Sequence, residues 1–221
     1  MIPVYDLHTH STLSDGEMLP IELVRRAAVL GYRTLAITDH VDPGNLSQVI
    51  AAQASLKEPA GEYGVTLLAG VEITHVPPSR IPLLARRAKE EGADIVVVHG
   101  ETVVEPVAPG TNLAACTCPD VDLLAHPGLL TPEIAREAAE RRIALEITAR
   151  AGHNRTNGHV ALEARSAGCI LVVDSDAHGP QDLMEARARE TVARGAGLRP
   201  PEASAALDLN IERWLFHRGS I

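Results

Sequence analysis

Ten histidines stand in a chain of 221 residues that has only three tyrosines, one tryptophan and one phenylalanine. Their placement is what points to chemistry. His8 and His10 follow the apolar run 2–7, His40 follows 34–38, and Glu72 closes 65–71. His99 follows 94–98, His126 follows 121–125, Glu146 lies in 143–147, and Asp176 and His178 follow 169–173. The steps from His8 through His40, Glu72, His99, His126 and Glu146 to Asp176 are 32, 32, 27, 27, 20 and 30 residues. Imidazole nitrogens and carboxylate oxygens are donors for divalent metals. One histidine past a strand is ordinarily a hydrogen-bonded structural residue. A whole rim of them is a different case: without cations the carboxylates would repel and the imidazoles would be costly to bury. Divalent ions resolve both problems.

Positioning such a rim requires repeated units. The seven runs are near-continuous in Val, Ile, Leu and Ala, as strands buried on both faces should be. Segments with helical spacing lie between them at 19–30, 82–91, 132–141 and 157–167, with Gly31, Gly92 and Gly168 as stops. Strand–helix alternation predicts an α/β fold with a parallel sheet. Seven units before a C-terminal helix at about 202–218 favour a closed or nearly closed barrel over an open sheet. The steps are close to the roughly 31 residues per unit of an eight-unit barrel, and every strand then delivers a donor to the C-terminal mouth. No linker divides the chain, so 1–221 reads as one domain, with 104–111 (Pro106, Pro109, Gly110) as a loop.

Composition narrows the classes. A hydrophobic fraction of 45% excludes a disordered chain. A net charge of −9 argues against a protein built to grip a phosphate backbone. No apolar run approaches the about 18 residues of a membrane span, and Met1 to Asp6 lacks a signal-peptide shape. Three cysteines fit a reducing cytoplasm; Cys116 and Cys118 read as local packing and Cys169 as core.

The motifs carry a specific resemblance. Asp6-Leu7-His8-Thr9-His10-Ser11-Thr12-Leu13-Ser14-Asp15-Gly16 is similar to the first motif of the PHP (polymerase and histidinol phosphatase) family. Thr38-Asp39-His40 resembles its second, and Gly70-Val71-Glu72 resembles the glutamate that bridges two metals. His99, His126 in Ala-His-Pro-Gly, and Ser175-Asp176-Ala177-His178 match the later positions. The match runs from about residue 4 to 180. It implies a distorted seven-stranded (β/α)7 TIM-like barrel holding two to three divalent ions of zinc, manganese or iron. By this analogy one ion takes His8, His10, Glu72 and Asp176, a second takes Glu72, His99 and His126, and a third takes Asp15, His40 and His178. Some relatives have histidine where Asp15 stands. Asp6 and Asp39 read as groups that orient the ligand histidines.

Three such ions outweigh the three carboxylates and leave a positive mouth that attracts a phosphate dianion. A hydroxide bridging two ions is a nucleophile at neutral pH. The expectation is therefore a phosphatase that hydrolyses a small phosphate monoester, as histidinol phosphatases do, with Glu72, Asp176 and His178 at the chemistry. Arg150 and Arg155, in the polar segment 146–159, are candidate phosphate clamps, and His153 is a candidate substrate contact. His159 suits a helix start, His75 lies near the metals, and His217 suits the surface. Glu101 and Glu105 are acidic loop residues past the fourth strand, a type common enough in loops that a contact with a substrate amine is not counted toward the site.

Rival readings are an amidohydrolase, a non-catalytic RNA-binding barrel such as a ribonuclease P subunit of related fold, and a phosphoesterase or exonuclease acting on nucleotides or nucleic-acid ends. An amidohydrolase would place a bridging lysine after the fourth strand, where His99 stands; the nearest, Lys89, sits back in a helix. The RNA-binding barrel would have eroded ligands and a basic surface. The expected partner is thus a small phosphorylated substrate, with neither membrane nor nucleic acid.

Overall fold

A computed structural model describes residues 4–218, with side chains through 215. All seven apolar runs become strands: β1 Val4–Asp6, β2 Tyr32–Ile37, β4 Thr66–Ile73, β5 Ile95–His99, β6 Leu123–Ala125, β7 Ala144–Thr148 and β8 Leu171–Asp174. Positions 2 and 3 of the first run lie outside the described residues. The strands pair in parallel in the order β1-β2-β4-β5-β6-β7-β8. A two-residue strand, β3 (His40–Val41), joins β4 in the register His40 to Glu72.

The barrel is nearly closed. Between β1 and β8 the ladder is reduced to one bridge, Thr9 to Ala177. Two buried carboxylates complete the seam: Leu7 N donates to Asp174 Oδ1 at 2.9 Å and Ser175 N to Asp6 Oδ1 at 3.1 Å.

The expected helices form as α1 Pro20–Val29, α4 Ile81–Glu90, α6 Pro132–Glu140 and α7 Asn157–Ala167. Proline begins α1 and α6, where its missing N–H costs nothing, and Gly168 ends α7 at φ 76°. Four helices have no counterpart in the sequence reading: α2 Leu46–Ala54, α3 Lys57–Glu62, α5 Thr111–Thr117 and α8 Ala186–Gly195.

The single helix expected at 202–218 is in fact two, α9 Pro200–Leu207 and α10 Ile211–Arg218. The break comes from Asn210, whose Oδ1 accepts from Arg213 N at 2.8 Å and so starts a new helix. That restart turns Trp214 into the base of the barrel. There it packs with Tyr5, Ile95, Leu123 and Ala144 in the interior cluster, and its Nε1 donates to Arg142 O at 3.1 Å. The larger apolar layer lies outside the sheet, under the helices. Among the described residues no helix is long and apolar enough to cross a membrane. The side chain of His217 lies outside the described residues.

Candidate metal centre

The strand ends bring all nine sequence-selected donors together at the mouth. Glu72, fully buried in β4, lies at the middle. Its Oε1 is 3.4 Å from His8 Nε2 and 3.5 Å from His126 Nε2; its Oε2 is 2.7 Å from His40 Nδ1 and 3.7 Å from His10 Nε2. Asp176 Oδ1 is 3.2 Å from His10 Nε2 and 3.7 Å from His8 Nε2, while its Oδ2 is 3.7 Å from His126 Nε2. Further out, Asp15 Oδ1 lies 3.3 Å from His178 Nε2 and 3.5 Å from His40 Nε2. Donor atoms within 4.8 Å of one another fall into the groups His8–His10–Glu72, Glu72–His99–His126 and His10–Asp15–His40–His178.

The backbone is bent to make this possible. His126 (φ 26°) and Asp176 (φ 52°) both have positive φ, where a side chain is strained. Gly100, directly after His99, has no room for a side chain: a Cβ would lie 2.8 Å from Pro127 Cα. That close approach lets β5 and β6 set the His99 and His126 rings 4.5 Å apart.

The donor set fits divalent cations. His8 Nε2, both ring nitrogens of His10 and both oxygens of Glu72 are buried without a well-directed hydrogen bond. Buried polar atoms are normally partnered, and unpaired nitrogen and carboxylate donors suit ions such as zinc, manganese and iron. Burial works against charge on Glu72, yet His8, His40 and His99 hold its carboxyl well below the usual range. Burial likewise opposes charge on His8, but Glu146, Asp176 and Glu72 hold its imidazole well above the ordinary value. His40 is pushed up to about 9 in the same way, chiefly by Glu72 against its burial. Burial wins at His10, which falls to about 4.

Support for the rings comes partly from residues given no such role by the sequence. Glu146, on β7, places Oε1 2.8 Å from His8 Nδ1 and accepts from His126 N through Oε2, also at 2.8 Å. Thr74 Oγ1 is 2.7 Å from His40 Nδ1. The inward-facing position of Glu146 on a buried strand was the one available hint. Asp6 and Asp39, expected to orient the histidines, contact no imidazole. Asp6 accepts from the backbone N of His8 and Ser175, at 3.3 and 3.1 Å. Asp39 takes Ser11 N, Ser11 Oγ, Ser14 Oγ and Gln53 Nε2, at 2.7 to 2.9 Å. Its short loop neighbours are nearer than any ring, so it anchors the turn that carries Asp15.

Around the mouth, Arg155 is exposed and its side chain has no hydrogen bond or ion pair among the described residues. Arg150 is half-buried, 3.6 Å from Asp182, which also receives His178 N at 3.0 Å. His153 is buried, its ring 4.3 Å from that of His126, and burial with His126 nearby pushes its pKa down to about 4. Its Nε2 is 3.3 Å from Glu105, which also faces His75 and His99. Glu101 holds the loop by accepting from Gly110 N and Asn112 N. His159 Nε2 meets Leu130 O at 2.7 Å. Lys89 Nζ binds Asp122 and Asp94 O before the starts of β6 and β5, at the opposite end from the donors.

Residues 3–219 match the family RNase P subunit p30. The chain belongs to that family. Over 205 residues this p30-family chain is 48% identical to an uncharacterised protein of Methanocaldococcus jannaschii, covering 92% of the one and 94% of the other. Among solved structures it resembles a chain of archaeal ribonuclease P with mature tRNA (TM-score 0.70, 16% identity, 98% of this chain and 91% of that one). It also resembles the histidinol phosphate phosphatase of Lactococcus lactis complexed with zinc, L-histidinol and phosphate (TM-score 0.64, 18% identity, 90% and 95%). At these identities the structures establish a shared PHP-like, TIM-like barrel fold.

Membership overturns the expectation against a nucleic-acid partner: the family is that of an RNase P subunit, and one solved relative is RNase P with tRNA. The error lay in using a net charge of −9, which sums the whole surface, where binding responds to local potential. The ligand erosion expected of such a barrel is not seen: all nine donors are present, eight of them in groups within 4.8 Å and Asp176 3.2 to 3.7 Å from His8, His10 and His126.

Proposed function

We propose that this p30-family chain, acting as one barrel domain over residues 1–221, is a metal-dependent phosphoesterase that hydrolyses a phosphate monoester at its mouth. Its metal ligands are His8, His10, Asp15, His40, Glu72, His99, His126, Asp176 and His178, holding two to three ions. The observation that carries this reading is Glu72, fully buried, with neither oxygen well hydrogen-bonded and four imidazoles within 3.7 Å. Divalent ions bound there supply Lewis acidity toward phosphate oxygens and acidify bound water.

The chain's own residues do the rest. Glu72 touches two donor groups at once and fixes their spacing. Arg155, with no competing carboxylate, takes phosphate oxygens in a guanidinium fork. Arg150, tied through Asp182 to the backbone of His178, keeps the outer donors in register with the phosphate. His153, neutral at pH 7, offers hydrogen bonding without adding charge. Asp176 and His178, as ligands, act at the chemistry by holding the ions against the ester. Three free cysteines are in keeping with a cytoplasmic setting.

A second reading, in which the phosphate ester is at the end of a nucleotide or RNA chain, is favoured by the p30 membership. The test is a hydrolysis screen over small phosphomonoesters and 5′- and 3′-phosphorylated oligoribonucleotides, with zinc, manganese and iron supplied separately. Glu72→Gln serves as the control and should lose more than one ion and nearly all turnover. A chain that binds its ions and cleaves none of these esters would refute the catalytic reading.

A further inference from the structure

Outside the nine-donor centre, one more cluster of metal-capable side chains lies at the mouth. The donor atoms of His75, His99 and Glu105 are all within 4.8 Å of one another. His75 Nε2 is 3.1 Å and His99 Nε2 3.2 Å from the same oxygen, Glu105 Oε2. Donors around a tetrahedral ion with ordinary bond lengths of about 2.0–2.1 Å lie roughly 3.3 Å apart. We propose that His75, His99 and Glu105 form an outer divalent-cation site through which the ion destined for Glu72, His99 and His126 is loaded. This rests on the inner centre holding metal.

Three further observations support it. The first is a lone-pair conflict. His99 Nδ1 is 3.2 Å from Gly100 O, a carbonyl that only accepts, so the ring proton of neutral His99 belongs on Nδ1. Nε2 then presents a lone pair to the Glu105 carboxylate 3.2 Å away, an arrangement that a proton or a metal cation between them relieves. The second is backbone strain. His75 has φ 52°, a conformation a non-glycine residue adopts at a cost, and its ring comes within 5.1 Å of the His99 ring. Glu105 is steadied by His153 Nε2, 3.3 Å from its other oxygen.

The third is the exposure gradient. The side chains of His75, Glu105 and His99 are 41%, 37% and 3% exposed, so the three donors lead from solvent to the buried centre. His99 belongs to both the outer and the inner triad, and its one free nitrogen can serve only one ion at a time. An ion caught outside therefore moves inward by exchanging His75 and Glu105 for Glu72 and His126, without leaving His99.

A loading site alters rates and leaves the final equilibrium alone. Cobalt(II), followed by its visible absorbance, is the probe, using the full chain stripped of metal, with His75→Ala and Glu105→Gln as variants. Both side chains are exposed enough that neither change removes core packing. Uptake and chelator-driven release should slow together by roughly tenfold, the scale of losing one supporting contact at a metal site, while equilibrium affinity stays the same. Unchanged rates overturn the proposal. So does faster release with weaker affinity, because that makes Glu105 a prop of the inner site. A wild-type chain that takes up no cobalt fails earlier, and overturns the metal-centre reading along with this one.

Discussion

Replacing Glu146 by Gln tests stability and metal binding by two separate measurements. The carboxylate is fully buried and each oxygen has one partner, His8 Nδ1 and His126 N, both at 2.8 Å. An amide offers one acceptor and one donor. The backbone N–H of His126 must keep the acceptor, so the amide NH2 faces His8 Nδ1. Two outcomes are open to the side chain. If His8 keeps its proton on Nδ1, a buried donor meets a donor and about 1–3 kcal/mol of stability is lost. If His8 instead gives up its Nδ1 proton and keeps the one on Nε2, both hydrogen bonds survive, but the positive charge beside Glu72 is lost and the nitrogen facing Glu72 is blocked. Either way the ring no longer presents a properly held lone pair, and zinc affinity should fall roughly ten- to a hundredfold. Urea unfolding of the metal-free protein gives the first quantity, and competition with a chromophoric chelator gives the second. Zinc affinity within twofold of wild type would show that Glu146 does not orient His8.

Other consequences are read in the same way. His40 has its folded pKa raised to about 9, so its protonated form stabilises the metal-free chain fully below the ordinary imidazole value of 6.5, and that contribution is lost as pH rises through about 9. Zinc must displace this proton, so calorimetry at pH 7 in buffers of different ionisation enthalpy should show about one proton fewer released by His40→Ala; equal release would refute the assignment. Glu72 has the opposite sign: its depressed pKa stabilises the metal-free chain above the usual carboxylate range, and acid should remove that contribution. Trp214→Ala should cost about 3–5 kcal/mol in urea unfolding with the metal count unchanged, because the ring fills the base of the barrel away from the donors. Arg155→Ala should raise KM for a phosphomonoester roughly ten- to a hundredfold with metal content intact; an unchanged KM returns that side chain to solvent.

The sequence alone determined the seven strands, their parallel order and the rim of donors. Those features are local: a buried parallel strand declares itself as an apolar run, and the residue that follows it must face the mouth. It could not determine the break at Asn210, where one capping side chain outweighs a continuous helical pattern and sends Trp214 under the barrel. Nor could it assign the supporting groups. Asp39 sits beside His40 in sequence but spends its oxygens on Ser11, Ser14 and Gln53. His8 is held instead by Glu146, 138 positions away. Likewise Glu105, one more acidic loop residue in the sequence, meets imidazoles at or beyond the ends of three different strands, β4, β5 and β7, only once the barrel has formed. Donor type and spacing are written in the chain. Which nitrogen carries a proton, and which carboxylate keeps it there, depends on neighbours within about 3 Å, and only the tertiary structure chooses those.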